Sequence, residues 1–165
     1  MGALAIRIVF LMVAPAVPSI VDLDAVDYDQ IARHVAKGEG FGYGLEMLSS
    51  FRPPLYPLFL SAIYWIVGIN HSIVRAVQAL IGASLPGIIY LVARRRFPIF
   101  EAKVGAVLCA VYPALVGITG SLMTEAIYIP LLALAILALI LVEEQPTWGR
   151  IFTAGILLGV TLLAR

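Results

Sequence analysis

Residues 126–142 read AIYIPLLALAILALILV and contain no charged side chain. Glu125 stands directly before this run and Glu143 directly after it. A helix needs about 20 apolar residues to span the hydrocarbon core of a bilayer, within a usual range of about 17 to 25. The run therefore predicts a membrane-spanning helix with an acid at each end.

The composition of the whole chain agrees with this run. Hydrophobic residues make up 62% of the sequence and charged residues 13%, with a mean hydropathy of +1.02. Soluble domains contain about 45–50% apolar and about 25% charged residues, so lipid must cover much of this chain. A net charge of +1 argues against a nucleic-acid partner, and the single cysteine, Cys109, excludes a disulfide framework or a thiolate metal site. We predict an all-α, polytopic transmembrane protein.

Five more apolar stretches have the same character: residues 3–21, 53–69, 72–93, 104–120 and 151–164. The first could be a cleaved signal peptide, but it is long for one and Pro15 disfavours cleavage at Ala14-Pro15-Ala16, so we expect an uncleaved span. The last runs into Arg165 without a polar exit. The chain is therefore expected to be the N-terminal part of a larger protein.

Positive charge predicts the orientation of these stretches. Arg94-Arg95-Arg96 and Lys103 form the densest basic cluster, and basic loops stay on the cytoplasmic side. If residues 3–21 cross outward, only one crossing can follow before Arg94. Residues 53–69, which begin Pro-Pro, are then a juxtamembrane helix that does not span. The predicted spans are residues 3–21, 76–93, 104–120, 126–142 and 151–165, with an external loop at 22–71.

This topology places Glu125 on the same membrane face as the acid-rich loop. Glu125 is the only acid between Glu101 and Glu143. A charge near the centre of a spanning helix costs roughly 2.5–3.5 kcal/mol, so an acid kept at a helix end has two interpretations. It can belong to a functional site. It can also simply sit in the first turn of a helix capped by Thr124, where the helix dipole favours negative charge.

The external loop has its own pattern. Residues 27–37 have the spacing of an amphipathic helix that Gly38 would end, and residues 38–44 contain four glycines. These glycines predict a mobile connection rather than a dinucleotide site, because no strand precedes them. Asp22 and Asp29 are expected to be solvated, and His34 and His71 have no partner at ligand spacing. The chain shows neither a Ser-His-Asp order nor a His-Glu-x-x-His helix.

Three segments of this loop resemble a known family. Residues 24–32 (DAVDYDQIA), 38–41 (GEGF) and 52–57 (RPPLYP) are similar to the first external loop of GT-C fold glycosyltransferases. These polytopic enzymes take sugars from polyprenyl-phosphate carriers, and include protein O-mannosyltransferases, aminoarabinose transferases and dolichyl-phosphate-mannose mannosyltransferase-like enzymes. Residues 120–125 (GSLMTE) resemble the family's second external acidic motif, and residues 154–165 the helix that follows. The resemblance covers nearly the whole chain.

The resemblance implies roles for particular residues. Asp24 would be the general base, and Glu125 a second acid from another helix end. Arg52 occupies the phosphate-binding position, where relatives carry Lys or Arg, and the implied substrate-binding residues also include Asp27, Tyr28 and Arg165. Three of these roles have a plainer alternative: Asp24 can cap a helix, Arg52 can anchor the chain at the interface, and Arg165 can mark the end of a span.

The resemblance also implies the surroundings in which such an enzyme works. We expect a multi-pass protein of the plasma or inner membrane with its site on the external face. Its partners would be the bilayer, a polyprenyl-phosphate-linked sugar donor, and an acceptor lipid, glycan or protein. Some relatives bind a divalent cation between their acids and others do not, so the resemblance leaves open whether this protein binds a divalent cation. No other cofactor is expected.

A non-enzymatic membrane protein is the competing hypothesis, either a transporter segment or an assembly subunit. Transporters place broken helices and ionisable residues near mid-membrane. Here the acids gather at one face and the predicted spans carry almost no charge, which favours a site at the membrane interface.

Overall fold

The computed structural model describes residues 2–13, 23–43 and 52–165 of the chain. Over these residues the regular structure consists of eight α-helices and one short 3₁₀ helix at Ile118–Gly120. The α-helices are α1 (Gly2–Val13), α2 (Leu23–Ala36), α3 (Leu55–Val67), α4 (His71–Ala93), α5 (Ile99–Val111), α6 (Pro113–Gly117), α7 (Glu125–Glu144) and α8 (Trp148–Leu162). The prediction of an all-α polytopic membrane protein is confirmed.

Within the described residues, α4 and α7 are each long and apolar enough to cross a membrane. The pair α5–α6 counts as a third candidate span, bent by 50° at its break. The break lies at Tyr112, whose backbone is extended because Pro113 follows it and disfavours the helical conformation. Helices α1, α3 and α8 are apolar but shorter. Residues 14–21 of the first predicted span lie outside the described residues.

Helix α4 is the centre of the bundle. It packs against α1, α5 and α7, and α7 in turn packs against α8. The outer surfaces carry large exposed apolar side chains, among them Trp65, Phe100 and Phe152. A water-soluble protein rarely exposes so much apolar surface, and contact with lipid accounts for it.

The two ends of the bundle differ in charge. At one end, here called the basic end, Arg95 pairs with Glu144 and Arg96 with Glu143. These pairs join the end of α4 to the end of α7, so the two glutamates have a structural role that the sequence did not indicate. At the other end, the site end, the backbone N–H of Leu55 donates to the carbonyl oxygen of Leu163 over 3.0 Å. This bond joins the start of α3 to the chain just after α8.

Helix α3 lies at the site end and packs mainly against α2. It has 13 residues, fewer than the roughly 17 of the shortest spanning helices. One face buries Tyr56, Leu60 and Tyr64, whereas Trp65 and Ile66 are exposed. Such a two-sided helix suits a membrane interface, where one face meets protein and the other meets lipid.

Helix α2 begins at Leu23 rather than near Asp27 and ends before Gly38, whose φ of 76° suits glycine. Because α2 starts early, Asp24 and Asp27 lie one turn apart on the same face. Below that face is a buried cluster that joins α2, α3, α4 and α7. It consists of Ala25, Tyr28, Ala32, Tyr56, Leu60, Tyr64, Val74, Leu122 and Ile127.

Candidate functional site

Arg52 is held by two carboxylates of α2. Its Nη2 lies 2.6 Å from Oδ1 of Asp24 and 2.6 Å from Oδ2 of Asp27, and its Nε donates to the same Asp27 oxygen over 3.1 Å. The Arg52 side chain is only 17% exposed, whereas that of Asp24 is 50% exposed. The hydrogen bonds that Arg52 donates to Asp27, followed by the contribution of Asp24, raise the pKa of Arg52 above its ordinary value, although burial opposes the shift. The guanidinium therefore stays charged.

Tyr28 connects this ion-pair group to the second acidic motif. The Arg52 guanidinium lies 5.4 Å from the centre of the Tyr28 ring. Burial is the main reason why the pKa of the Tyr28 phenol is raised. The charge of Arg52 lowers that pKa and the charge of Asp24 raises it. A hydrogen bond with Thr124 also lowers it, and the charge of Glu125 raises it. The ionisation of the Tyr28 phenol therefore depends both on the Arg52–Asp24 ion pair and on the Thr124–Glu125 segment.

Glu125 is the first residue of α7 and is partly buried. Thr124 occupies the N-cap position, but its side chain makes no capping hydrogen bond. Its hydroxyl donates instead to Oε2 of Glu125 over 3.2 Å. The interpretation of Thr124 as a side-chain cap is therefore wrong, because the hydroxyl points to the neighbouring carboxylate. Glu125 does lie in the first turn, where the helix dipole favours its charge.

Arg165 reaches the same end of the bundle. Its guanidinium carbon lies 5.5 Å from the ring centre of Tyr128, one turn after Glu125 on α7. The bond between Leu55 and Leu163 holds the end of α8 close to the Arg52-Pro53-Pro54 turn. The structure therefore brings together all six predicted site residues at the site end: Asp24, Asp27, Tyr28, Arg52, Glu125 and Arg165.

Asp29 belongs to a separate polar cluster beside this site. The hydroxyl of Tyr64 donates to its Oδ1 over 2.6 Å, and Arg33 Nε donates to its Oδ2 over 2.7 Å. Nε2 of His71 lies 3.0 Å from Oδ1 and must be the donor, since a carboxylate can only accept. The side chain of Asp29 is 15% exposed. The expectation that Asp29 is solvated, and that His71 stands alone, is therefore wrong: the fold of α3 onto α2 buries the carboxylate. Asp22 lies outside the described residues.

We expect Asp29→Asn to lower the free energy of unfolding by about 1.5–3 kcal/mol, the usual contribution of a hydrogen bond to a charged group. Burial alone would raise the pKa of Asp29, but hydrogen bonds from Tyr64, His71 and Arg33 hold it below its ordinary value of 3.8. Its contribution to stability is thus complete above that ordinary pKa. It disappears as the pH falls through the lower pKa of the folded state.

Thermal melting in detergent, from neutral pH down to acid, tests this expectation. The wild type should lose stability below about pH 4, where Asp29 of the unfolded chain begins to take up a proton while Asp29 of the folded protein is still ionised. Asp29→Asn should have a lower melting temperature at neutral pH, and its melting temperature should fall less between neutral and acid pH. Glu101→Gln, at an exposed position in the first turn of α5, is the control. Equal melting temperatures for Asp29→Asn and the wild type would contradict a structural role for the cluster.

Sequence reasoning missed several buried polar residues of the bundle, among them Gln78, Arg75 and Arg7. Gln78 is fully buried in α4. Arg7 is fully buried in α1, where Nη1 donates to the carbonyl oxygen of Ala3 over 3.0 Å while Nε and Nη2 have no hydrogen-bond partner. The available signal was the presence of polar residues inside apolar stretches, which by itself indicates a function or a specific partner.

A metal site formed by side chains alone has no support in the described part of the chain. Across residues 2–13, 23–43 and 52–165, no three His, Cys, Asp or Glu side chains lie close enough to hold an ion together. Asp24 and Asp27 contact a guanidinium instead.

The fold and the site define a helical membrane protein whose acidic side chains and Arg52 gather at one end of the bundle. Comparison with known families is more specific: residues 51–165 match the family described as dolichyl-phosphate-mannose-protein mannosyltransferase. This is more than half of the chain, which therefore belongs to that family and is a mannosyltransferase-like membrane glycosyltransferase. The match includes Arg52, Glu125 and Arg165, whereas Asp24, Asp27 and Tyr28 precede it. No curated protein and no solved structure matches the chain.

Proposed function

We propose that the chain binds a polyprenyl-phosphate-linked sugar at its site end and supplies the catalytic base that transfers the sugar to an acceptor. The observation that carries the proposal is the position of Arg52, held by Asp24 and Asp27 and packed on Tyr28, whose phenol is also within range of the charge of Glu125. A guanidinium binds phosphate through two parallel hydrogen bonds, and carboxylates beside it can receive a proton. The family membership supports the same chemistry.

The reaction requires one bond to form and one to break. The acceptor's hydroxyl or amine attacks the anomeric carbon of the sugar, and the bond between that carbon and the phosphate oxygen breaks. The electron pair leaves with the polyprenyl phosphate, whose growing charge Arg52 stabilises. The acceptor's proton goes to Asp24, and Glu125 orients the acceptor from the end of α7.

Donor binding changes the partners of Arg52. Asp27 accepts two hydrogen bonds from the guanidinium and Asp24 accepts one. A donor phosphate can therefore replace Asp24 most easily while Asp27 continues to hold the arginine. This exchange releases the Asp24 carboxylate, the more exposed of the two, at the moment when a base is needed. A carboxylate still paired with a guanidinium would be a weaker base.

The test uses the full-length protein in lipid nanodiscs with synthetic polyprenyl-phosphate donors, each carrying one sugar. We expect at least one donor to yield free polyprenyl phosphate and glycosylated acceptor in equal amounts, and a nucleotide sugar to yield neither. A folded protein that bound such donors but released no polyprenyl phosphate would count against a transferase.

A non-enzymatic role has one observation in its favour, the bent α5–α6 pair, since transporters use broken helices. The acids, however, lie at the site end and not at that break. Flux of the sugar lipid across proteoliposomes, without any product of transfer, would support this second candidate.

The proposed site faces the outside of the cell, because basic segments stay in the cytoplasm and the basic end lies opposite the site. Two exposed lysines give a matched test, Lys37 after α2 and Lys103 in α5. In a Cys109→Ala background, Lys37→Cys should react with an impermeant maleimide on intact cells. Lys103→Cys should react only after permeabilisation. Labelling of Lys103→Cys on intact cells would mean that α3 crosses the membrane or that the bundle is inverted.

A further inference from the structure

Gln78 joins two parts of the molecule that are far apart in sequence. The hydroxyl of Tyr56 on α3 donates to Oε1 of Gln78 over 2.7 Å. Nε2 of Gln78 donates to the carbonyl oxygens of Ser121 over 2.8 Å and of Thr119 over 3.4 Å. The side chain is fully buried. One amide therefore connects α3 to the segment that precedes α7.

The carbonyls that Gln78 binds belong to a segment without a regular helical hydrogen-bond pattern, so they need partners from elsewhere in the bundle. Ser121 follows the 3₁₀ helix, and its backbone is extended, so the segment has left the regular helical hydrogen-bond pattern. A carbonyl left without a partner in an apolar interior is strongly destabilising. The Gln78 amide satisfies these groups and uses its own oxygen to accept from Tyr56. Both ends of the amide thus have partners, which fixes its orientation.

Each arm of this connection continues to the candidate site. Tyr56 packs edge-on against Tyr28 with 5.2 Å between ring centres, and Tyr28 lies beneath the guanidinium of Arg52. On the other arm, Ser121 is three residues before Thr124, whose hydroxyl donates to Glu125. The donor-binding group and the second acid therefore meet at one buried side chain that reaches neither substrate.

We propose that Gln78 is a positioning residue that sets the separation between the Arg52–Asp24 group and Glu125. The inference rests on the proposed transferase function. A displacement of about 1 Å in a reacting geometry can cost about 10²-fold in rate, so the loss of this connection should slow the chemical step. Donor binding should change little, because Arg52 keeps both of its carboxylate partners.

The experiment compares Gln78→Met with the wild type in the full-length protein. Methionine has a similar shape but can replace neither hydrogen bond. We expect kcat to fall by at least about tenfold while the donor KM changes by less than about threefold, since tenfold in rate corresponds to about 1.4 kcal/mol. Tyr56→Phe removes one arm only and should lower kcat less. The double variant should be no slower than Gln78→Met alone, because both changes interrupt one connection.

Ser84→Ala is the matched control on α4: its exposed hydroxyl donates only within the helix, to the carbonyl oxygen of Ile81, and its kcat should be unchanged. A folded Gln78→Met with lower melting temperature but unchanged kcat would show a purely structural role and overturn the inference. If Gln78→Met fails to fold, Tyr56→Phe is measured instead: a lower kcat supports the inference, and an unchanged kcat with a lower melting temperature overturns it. If the wild type transfers no sugar, the proposed function itself is rejected. Failure of the function is thus distinguished from failure of the role proposed for Gln78.

Discussion

Asp24→Asn is expected to reduce sugar transfer from a polyprenyl-phosphate donor by about 10²–10⁴-fold, the usual loss when a general base is removed. Asparagine keeps the shape of the side chain but cannot accept the acceptor's proton. Arg52 retains its two hydrogen bonds to Asp27, so the donor KM should stay close to that of the wild type. The loss should therefore appear in kcat, with normal expression and membrane insertion.

The measurement is initial rates over a range of donor concentrations for Asp24→Asn and for Glu101→Gln, which removes an acid far from the site. Residual transfer above about a tenth of the wild-type rate would sink the assignment of Asp24 as base. Asp27→Asn probes a different step. Asp27 is the principal partner of Arg52, so its loss should raise the donor KM more than it lowers kcat.

Arg52→Gln is expected to lose most of the activity, through weaker donor binding, a slower chemical step or both. Glutamine cannot carry the positive charge that binds the phosphate and follows its growing charge as the sugar leaves. Its removal also leaves Asp24 and Asp27, one turn apart, without their shared cation. Like charges at this spacing repel, so the start of α2 should be less stable as well.

Arg52→Lys separates charge from geometry. Lysine restores the charge but offers a point donor in place of the guanidinium fork, so partial activity is expected. Donor KM and kcat for both variants decide the role. Unchanged kinetics in Arg52→Gln, with only a lower melting temperature, would leave Arg52 as an interfacial anchor and end its assignment to the phosphate.

How far the sequence predicted the site is clearest at α2. The spacing of residues 27–37 indicated the helix, and Gly38 its end, because both signals are local. Its start at Leu23 was missed, and with it the shared face of Asp24 and Asp27. The pairing of those acids with Arg52 could not be read from periodicity, since it joins residues separated by more than 20 positions and depends on how α3 folds back.

Asp29 and Thr124 are two further residues whose hydrogen-bond partners the sequence did not predict. Both are residue types that often serve at loops and caps, and the sequence favoured those plain roles. The tertiary structure instead surrounds Asp29 with Tyr64, His71 and Arg33, and turns the Thr124 hydroxyl to Glu125. A polar side chain takes the partners that packing leaves within reach, and two of the partners of Asp29, Tyr64 and His71, come from other helices.

By itself the sequence determined the fold class and the apolar character of most of its helices. It could do so because a bilayer selects each spanning segment by its own hydropathy and length, which are properties of consecutive residues. Only the tertiary structure decided that Gln78 joins Tyr56 to the carbonyl of Ser121, and that Tyr28 lies against Arg52 within range of the charge of Glu125. Such contacts form when helices pack, because a buried polar group must find its partner wherever the fold places one.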